Sequence, residues 1–194
     1  MPAGNNGSGH GKLVVISAPS VSGKTTIARE MIRLQPSLRF SVSATTRQKR
    51  DGEQEGEDYY FLSKEEFLRR VEAGEFVEWE ELFGNYYGTL KSELDRAIRD
   101  NRHLIFDVDV NGGLSIKREY PSTLLIFIRT PSVEVLHQRL LKRKSETQEV
   151  LSMRLRRVPM ELEMGKLYEH QVINDDLATA VREVNTIIQS YLQA

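Results

Sequence analysis

The feature that most constrains the fold of this chain is a strand-like run joined to a helical pattern by a short Gly-Lys-Thr loop. The β-forming run Leu13–Ser17 comes directly before the loop, and apolar residues at helical spacing follow it, at Ile27, Ala28, Met31 and Ile32. A phosphate-binding loop lies between a strand that precedes it and a helix that follows it. The loop N–H groups and the helix N-terminus bind phosphate oxygens there. The segment therefore predicts a nucleoside triphosphate site at the end of a buried strand.

The predicted ATP-binding loop consists of Ala18, Pro19, Ser20, Val21, Ser22, Gly23, Lys24, Thr25 and Thr26. Lys24 is expected to reach the β- and γ-phosphates, and the Thr25 hydroxyl to hold the Mg²⁺ that accompanies ATP. Ala18 stands where the first glycine is usual, and Val21 is unusual inside the loop. Because β-branched residues resist positive φ, we expect Val21 to have negative φ on the outer side. The alternative is a chance Gly-Lys-Thr in a surface turn, which the flanking strand and helix patterns disfavour.

Length and composition indicate one α/β domain located in the cytoplasm. The chain has 194 residues, a net charge of −1 and no cysteine. The near-zero charge offers no basic field for nucleic acid, and the lack of cysteine excludes disulfides and thiolate metal sites. No apolar run approaches the roughly 18 residues of a membrane span. The Gly/Asn/Ser-rich start, residues 1–11, is expected to be a flexible tail and not a signal peptide.

Further strand-like runs predict a parallel sheet with helices on both faces. They are Leu104–Val110, Leu124–Ile128 and Gln171–Asn174, with helical segments between them. Short aromatic strands and a capping box, Ser63–Glu66, indicate a small mixed α/β insertion between residues 40 and 90. An amphipathic segment after Pro131, broken near residue 145, suggests paired helices that act as a lid.

Motifs elsewhere in the chain resemble those of guanylate kinases, in the same order. They are Ser41–Arg50, Gly56–Phe61, Glu78–Trp79, Gly84–Thr89, Asp107–Asp109 and Val172–Asp176, and together they cover nearly the whole chain after the tail. The resemblance implies a P-loop NTPase-type core that transfers the γ-phosphoryl group of Mg·ATP to GMP, and to dGMP, in purine nucleotide metabolism and GMP recycling. It also implies a core of residues 12–40, 91–137 and 160–194, a GMP-binding insertion at 41–90 and a lid at 138–159.

The resemblance also assigns residues to the acceptor nucleotide. Arg47 and Arg50 would clamp the GMP phosphate, because a guanidinium matches phosphate oxygens bidentately, and the Tyr59 and Tyr87 hydroxyls would add donors. Residues that would read the base are Glu78, Ser43, Thr89 and one or both of Asp107 and Asp109. A carboxylate accepts the N1–H and N2–H donors of guanine, whereas adenine presents an acceptor at N1. One aspartate could instead contact the ribose or a Mg²⁺-bound water, and the sequence leaves this division open.

On the donor side, the resemblance implies that Arg139, Arg143 and Arg154 close over the phosphates and neutralise charge on the transferring group. Asn174 would contact the adenine of ATP. The segment Glu169–Gln171 departs from the family pattern, which indicates altered strand packing beside that pocket. The other basic residues nearby are expected to be solvated surface charges; they are Lys142, Lys144, Arg156 and Arg157. The four histidines show no metal-ligand spacing.

Two other functional classes remain open from the sequence. Guanylate-kinase-like domains in scaffold proteins bind peptides without catalysis, but they typically have a degraded phosphate loop, and Gly23, Lys24 and Thr25 are present here. A related kinase could phosphorylate another nucleoside monophosphate or a phosphorylated ribose, and Glu78 and Tyr87 argue against that. The sequence leaves the oligomeric state open.

Overall fold

A computed structural model describes residues 10–82, 84–141 and 148–194 of the chain. Its strands are β1 (Leu13–Ser17), β2 (Leu38–Phe40), β3 (Ser43–Thr45), β4 (Tyr59–Phe61), β5 (Phe76–Leu82), β6 (Asn85–Leu90), β7 (His103–Asp107), β8 (Leu124–Arg129) and β9 (His170–Ile173). Its helices are α1 (Lys24–Leu34), α2 (Lys64–Glu72), α3 (Lys91–Arg99), α4 (Val110–Glu119), α5 (Val133–Leu141), α6 (Gln148–Gly165) and α7 (Leu177–Gln193).

Five strands form a parallel sheet in the order β2-β7-β1-β8-β9. Strand β1 lies at the centre, and all five of its residues are buried because both faces are covered. Val14 and Ile16 pack on the α1 and α7 side, whereas Leu13 and Val15 pack against residues of α3 and α4 on the other. The predicted α/β fold class, with helices on both faces of a parallel sheet, is confirmed.

The predicted strand Leu104–Val110 is too long at its C-terminal end. Strand β7 ends at Asp107, and α4 begins at Val110. Asp109 is the N-cap of α4, where its Oδ1 accepts a hydrogen bond from the Gly112 N–H at 2.8 Å. Aspartate at this position binds an otherwise unpaired helix N–H, so the chain turns into the helix directly after the strand. Asp107 and Asp109 therefore stand at the C-terminal edge of the sheet.

A second sheet, in the order β4-β3-β6-β5, contains residues of the predicted insertion. It is mixed, since β3 and β4 are parallel and the other pairs are antiparallel. Helix α2 begins at the predicted capping box, where the Ser63 hydroxyl accepts from the Glu66 N–H at 3.1 Å. Its buried Phe67 stacks on Phe76, with ring centroids 4.4 Å apart. These contacts give the small sheet a core of its own.

Helices α5 and α6 pack together through a separate small apolar cluster. Leu136, Leu140 and Val158 are buried there, and Val21 of the phosphate loop packs against them. Because the cluster includes a loop residue, it joins the helix pair to the nucleotide side of the core sheet. No helix in the described ranges is both long and apolar enough to cross a membrane.

Candidate active site

The phosphate loop turns sharply between β1 and α1. The Ser22 N–H donates to the Pro19 carbonyl at 3.2 Å, and Gly23 has φ +90°. A Cβ at Gly23 would lie 2.3 Å from Asn174 Nδ2. Glycine is therefore required at this position for two reasons, a left-handed backbone and a close side-chain neighbour.

Val21 does not have the negative φ that its β-branched side chain predicts, since its φ is +62°. This left-handed conformation costs a non-glycine residue roughly 1–2 kcal/mol. The turn of the loop toward Gly23 imposes it, and the Val21 side chain packs on the buried cluster of Leu136, Leu140 and Val158. Burial of the side chain against the helix pair offsets part of the backbone strain, and the prediction of a negative φ at Val21 was wrong.

Lys24 and Thr25, the first residues of α1, both contact Asp107 at the end of β7. Lys24 Nζ lies 2.8 Å from Asp107 Oδ1 and also donates to the Val108 carbonyl at 2.8 Å. The Thr25 hydroxyl donates to Asp107 Oδ2 at 2.7 Å. The cation, hydroxyl and carboxylate thus converge where the loop meets the sheet edge, which is where parallel α/β folds bind ligands.

Asp109 and Glu78 lie together on the other side of this sheet edge. The Thr89 hydroxyl donates to Glu78 Oε1 at 2.6 Å, and a Cβ at Gly112 would lie 3.2 Å from both Glu78 Oε2 and Asp109 Oδ1. Burial, with smaller contributions from the nearby Asp109 and Glu80 charges, raises the pKa of Glu78 to about 7, although the Thr89 hydrogen bond opposes the shift. The two carboxylates therefore face a common space beside the first turn of α4.

The residues predicted to bind the acceptor phosphate also lie close together. Tyr59 and Tyr87 are in edge contact, with ring centroids 6.3 Å apart, and the Arg47 guanidinium lies 5.2 Å from the Tyr59 ring. Ser43 is paired with Tyr59 in the β3–β4 register. The Arg50 side chain is exposed to solvent.

Glu53 belongs to this acceptor group, although no sequence motif singled it out. Its carboxylate accepts from both terminal nitrogens of Arg47, at 2.7 and 3.0 Å, and from the Arg50 N–H at 2.8 Å. These hydrogen bonds lower the pKa of Glu53 to about 2. A guanidinium has five N–H donors, so Arg47 keeps donors for a phosphate while Glu53 fixes its orientation. The only available signal was an acidic residue six positions after Arg47.

Two of the three predicted lid arginines can be located. Arg139 donates to the Asn174 carbonyl at 3.0 Å, and Arg154 donates to the Ser20 hydroxyl in the phosphate loop at 3.2 Å. Both therefore reach the donor side of the site from different helices. Arg143 lies outside the described residues, as do Lys142 and Lys144.

The Asn174 side chain contacts the phosphate loop. It is 5% exposed, and its Nδ2 donates to the Ser22 carbonyl at 2.8 Å. In the unusual segment before it, Glu169 Oε2 accepts from the Leu125 N–H at 2.9 Å and pairs with Lys117. Glu169 thus contacts β8 and α4 directly before the start of β9.

Arg157 is not the solvated surface charge that the sequence suggested. Its Nη2 lies 2.8 Å from Asp109 Oδ2, and Glu80 and Glu161 carboxylate oxygens each lie 3.7 Å from its other nitrogens. Only Arg156 fits the expectation of exposure among the described basic residues of this group. The helical spacing of Arg154, Arg157 and Glu161 on one face of α6 was the signal that could have identified it.

A cavity of about 650 Å³ lies beside the phosphate loop. It is lined by the phosphate loop, residues 18–26, together with Glu81, Leu82, Asp107, Asp109, Met153, Arg154, Arg157 and Glu161. The lining therefore combines the loop with cations that are paired to carboxylates, as in the contacts of Lys24 with Asp107 and of Arg157 with Asp109. Such a volume is typical of small-molecule sites.

Comparison with known proteins shows the family to which the chain belongs. The family model for guanylate kinase matches residues 10–191. The guanylate kinase of Symbiobacterium thermophilum is 43% identical over 180 residues, 93% of this chain and 85% of its own. That of Chlorobium luteolum is 46% identical over 183 residues, 94% and 93% of the two chains. The crystal structure of the Anaplasma phagocytophilum guanylate kinase superposes with a TM-score of 0.72 at 28% identity, covering 96% of this chain and 88% of that one. The chain belongs to the guanylate kinase family, whose members transfer a phosphoryl group from ATP to GMP.

Proposed function

We propose that this chain binds Mg·ATP and GMP on opposite sides of the end of β7 and transfers the γ-phosphoryl group between them. The observation that carries the proposal is the two-residue step from Asp107 to Asp109. Asp107 contacts Lys24 and Thr25 of the phosphate loop, whereas Asp109 lies beside Glu78. The short backbone segment from Asp107 to Asp109 would thus join the donor site to the acceptor site. It would hold the two nucleotides in line for the transfer.

The donor site would hold the triphosphate in the loop of residues 18–26. Lys24 would bind the β- and γ-phosphate oxygens, with Arg139, Arg143 and Arg154 adding positive charge as the lid closes. Arg154 already contacts Ser20 of the loop. Asn174 supports this loop through the Ser22 carbonyl.

The residues around Thr25 suit a magnesium ion bound with ATP. Mg²⁺ prefers oxygen ligands and retains several waters, and the Thr25 hydroxyl and Asp107 carboxylate lie within 2.7 Å of each other. Thr25 would hold the ion directly and Asp107 would hold one of its waters. When bound, the ion neutralises charge on the phosphates.

Phosphoryl transfer needs no covalent intermediate in this site. An oxygen of the GMP phosphate attacks the γ-phosphorus as the bond to the ADP oxygen breaks, so the chain has to position two nucleotides and stabilise charge. Arg47 and Arg50, with Tyr59 and Tyr87, would hold the attacking phosphate. Closure of residues 138–159 would exclude water, which otherwise hydrolyses ATP.

The acceptor base would be read by Glu78 together with Ser43, Thr89 and Asp109. The Thr89 hydroxyl fixes one oxygen of Glu78, which leaves the carboxylate able to accept N–H groups of guanine. Adenine presents an acceptor at N1 in place of a donor, so the carboxylate would be left unpaired and repelled there, and sites of this kind discriminate by up to about 10⁴-fold. No residue of this set is assigned to the ribose 2′-hydroxyl, so dGMP is proposed as a second acceptor.

The proposed domain roles follow from the same arrangement. Residues 41–90 would bind GMP, residues 138–159 would form the lid, and residues 12–40, 91–137 and 160–194 would form the core. The substrates are metabolites of the cytoplasm, which is the proposed location, with roles in purine nucleotide metabolism and GMP recycling.

Two alanine variants test the division between donor and acceptor sites. Lys24→Ala should abolish ADP formation with GMP, because the γ-phosphoryl group loses the cation that neutralises its charge during transfer. Glu78→Ala should raise KM for GMP by at least tenfold while KM for ATP stays within about twofold. Lys166→Ala and Glu72→Ala, which change exposed residues of the same types, are the matched controls. Wild-type GMP kinetics in Glu78→Ala would show that Glu78 does not read the base.

A further inference from the structure

We propose that Arg157 is a positioning residue for the acceptor base, because it fixes the carboxylate of Asp109 and connects α6 to the β5 strand of the insertion. The inference deepens the proposed function and rests on Asp109 lying against guanine. Arg157 would act through Asp109 and Glu80 without touching either nucleotide.

The geometry of Arg157 joins three elements. Its Nη2 lies 2.8 Å from Asp109 Oδ2 at the start of α4, and its Nη1 lies 3.7 Å from Glu80 Oε2 on β5. Its Nε lies 3.7 Å from Glu161 Oε1, one turn further along α6. The arginine side chain is 39% exposed, so it is held by ion pairs at the edge of the cavity and not by burial.

Asp109 is oriented from two sides. Its Oδ1 accepts from the Gly112 N–H at 2.8 Å, and its Oδ2 accepts from Arg157 at 2.8 Å. A carboxylate has about four acceptor positions, so two remain for ligand N–H groups. Because both oxygens are already fixed, guanine binds without the entropic cost of ordering the side chain. Loss of Arg157 would free one oxygen and restore that cost.

Arg157 also places a positive charge among several carboxylates. Burial and the charge of Asp109 raise the pKa values of both Glu78 and Glu80, and the Arg157 charge partly offsets the rise at Glu80. Glu161 is 7% exposed, and its Oε2 has no hydrogen-bond partner within the described part of the chain. Without the guanidinium, repulsion would push these acidic side chains apart and disturb the group that reads the base.

The position of Arg157 on α6 links the acceptor base to the proposed lid. Arg154, three residues earlier on the same helix, contacts Ser20 of the phosphate loop. Arg154 therefore contacts the donor side and Arg157 the acceptor side. Removal of Arg157 should weaken binding of GMP and leave binding of ATP unchanged, because the contact of Arg154 with the phosphate loop remains.

The test compares Arg157→Gln and Arg157→Lys with Arg156→Gln, a matched change of an exposed neighbour. Calorimetry gives the Kd of GMP without requiring turnover, and steady-state assays give KM and kcat. IMP, which lacks the N2 amino group of guanine, is the second acceptor. Arg157→Gln should weaken GMP binding about tenfold, the size of one lost hydrogen bond to a charged group. Its KM for ATP should stay within about twofold, and its preference for GMP over IMP should fall.

Arg157→Lys should recover part of the lost GMP affinity, since an ammonium keeps the charge but not the fork of donors. Equal GMP affinity in Arg157→Gln and Arg156→Gln would overturn the proposal. So would equal rises in KM for GMP and ATP, which would indicate a general effect on α6. If Arg157→Gln does not fold, unchanged GMP affinity and IMP preference in Arg157→Lys would overturn it. Absence of turnover in the unchanged protein would contradict the proposed function, while the calorimetric comparison would still decide the role of Arg157.

Discussion

At the scale of single residues, the carboxyl group of Glu78, which we propose reads the base, has a pKa near neutral pH. Burial raises its pKa to about 7, and the negative charges of Asp109 and Glu80 contribute. Only the ionised carboxylate accepts both N–H groups of guanine without donating a proton itself. Binding of GMP should therefore depend on pH in the range where this group titrates.

We predict that KM for GMP rises as pH falls through about 7. One unit below the pKa, about a tenth of Glu78 is ionised, so KM should be about tenfold higher near pH 6 than near pH 8. KM for ATP should not show this step, because Glu78 lies on the acceptor side. Initial rates at varied GMP and saturating ATP across this pH range provide the measurement.

Glu78→Gln is the control for this titration, since an amide does not ionise in this range. Any titration of the GMP phosphate is common to both proteins and cancels in the comparison. An identical pH profile in Glu78→Gln and in the unchanged chain would contradict a role for Glu78 ionisation.

Single residues also mark the limit of what the sequence could predict. Lys24, Thr25 and Asp107 could be selected because their types and spacing fit a phosphate site, and the structure brings them together. The backbone conformation of Val21 could not be predicted, because the turn and the packing against α5 and α6 outweigh the intrinsic preference of valine for negative φ. Helical spacing from Arg154 could have distinguished Arg157 from Arg156, but the contact of Arg157 with Asp109 needed the structure.

At the scale of elements, β9 and the phosphate loop are joined through Asn174. Its Nδ2 donates to the Ser22 carbonyl at 2.8 Å, while its own carbonyl accepts from Arg139 at 3.0 Å. The residue thus connects the end of the edge strand, the loop and α5. This arrangement supports a role in holding the loop, and the adenine contact that the resemblance implies stays a prediction.

We predict that Asn174→Ala raises KM for ATP about fivefold, because the buried Ser22 carbonyl loses its partner and the loop is held less firmly. KM for GMP should stay within about twofold. Asn185→Ala is the matched control, since it removes a hydrogen bond to Gln35 on the α1–α7 side. If Asn174→Ala instead leaves KM for ATP unchanged but lowers the preference for ATP over GTP as donor, this would indicate that Asn174 contacts adenine.

The sequence predicted elements well where one local signal dominated. Strand β1 occupies Leu13–Ser17 as predicted, because its continuous apolar run is buried on both faces. The Ser63 cap sets the start of α2 for an equally local reason. Residues Phe40 to Ala44 alternate between apolar and polar side chains as in one strand, whereas the structure divides them: β2 ends at Phe40 in the core sheet, and β3 begins at Ser43 in the small sheet. Alternation specifies the two faces of a strand but not the sheet that it joins.

At the scale of the whole molecule, the two proposed sites meet at the end of β7, which lies beside the central strand β1. Asp107 contacts the phosphate loop, and Asp109 lies beside Glu78. Helix α6 contacts both sides, through Arg154 at Ser20 and through Arg157 at Asp109. We therefore expect phosphoryl transfer to require that three parts of the fold meet at the sheet edge: the core, the small sheet and the α5–α6 pair. The sequence indicated these parts through a family resemblance, whereas their contacts needed the structure.

The most direct test of this account is ADP production from Mg·ATP with GMP, AMP, UMP or CMP as acceptor, beside a control without acceptor. We predict rapid turnover with GMP and at least about 10³-fold lower kcat/KM with the other three, because the buried Glu78 carboxylate finds N–H donors only on guanine in the required arrangement. Comparable turnover with AMP, or none with GMP in a folded protein that binds it, would contradict the account.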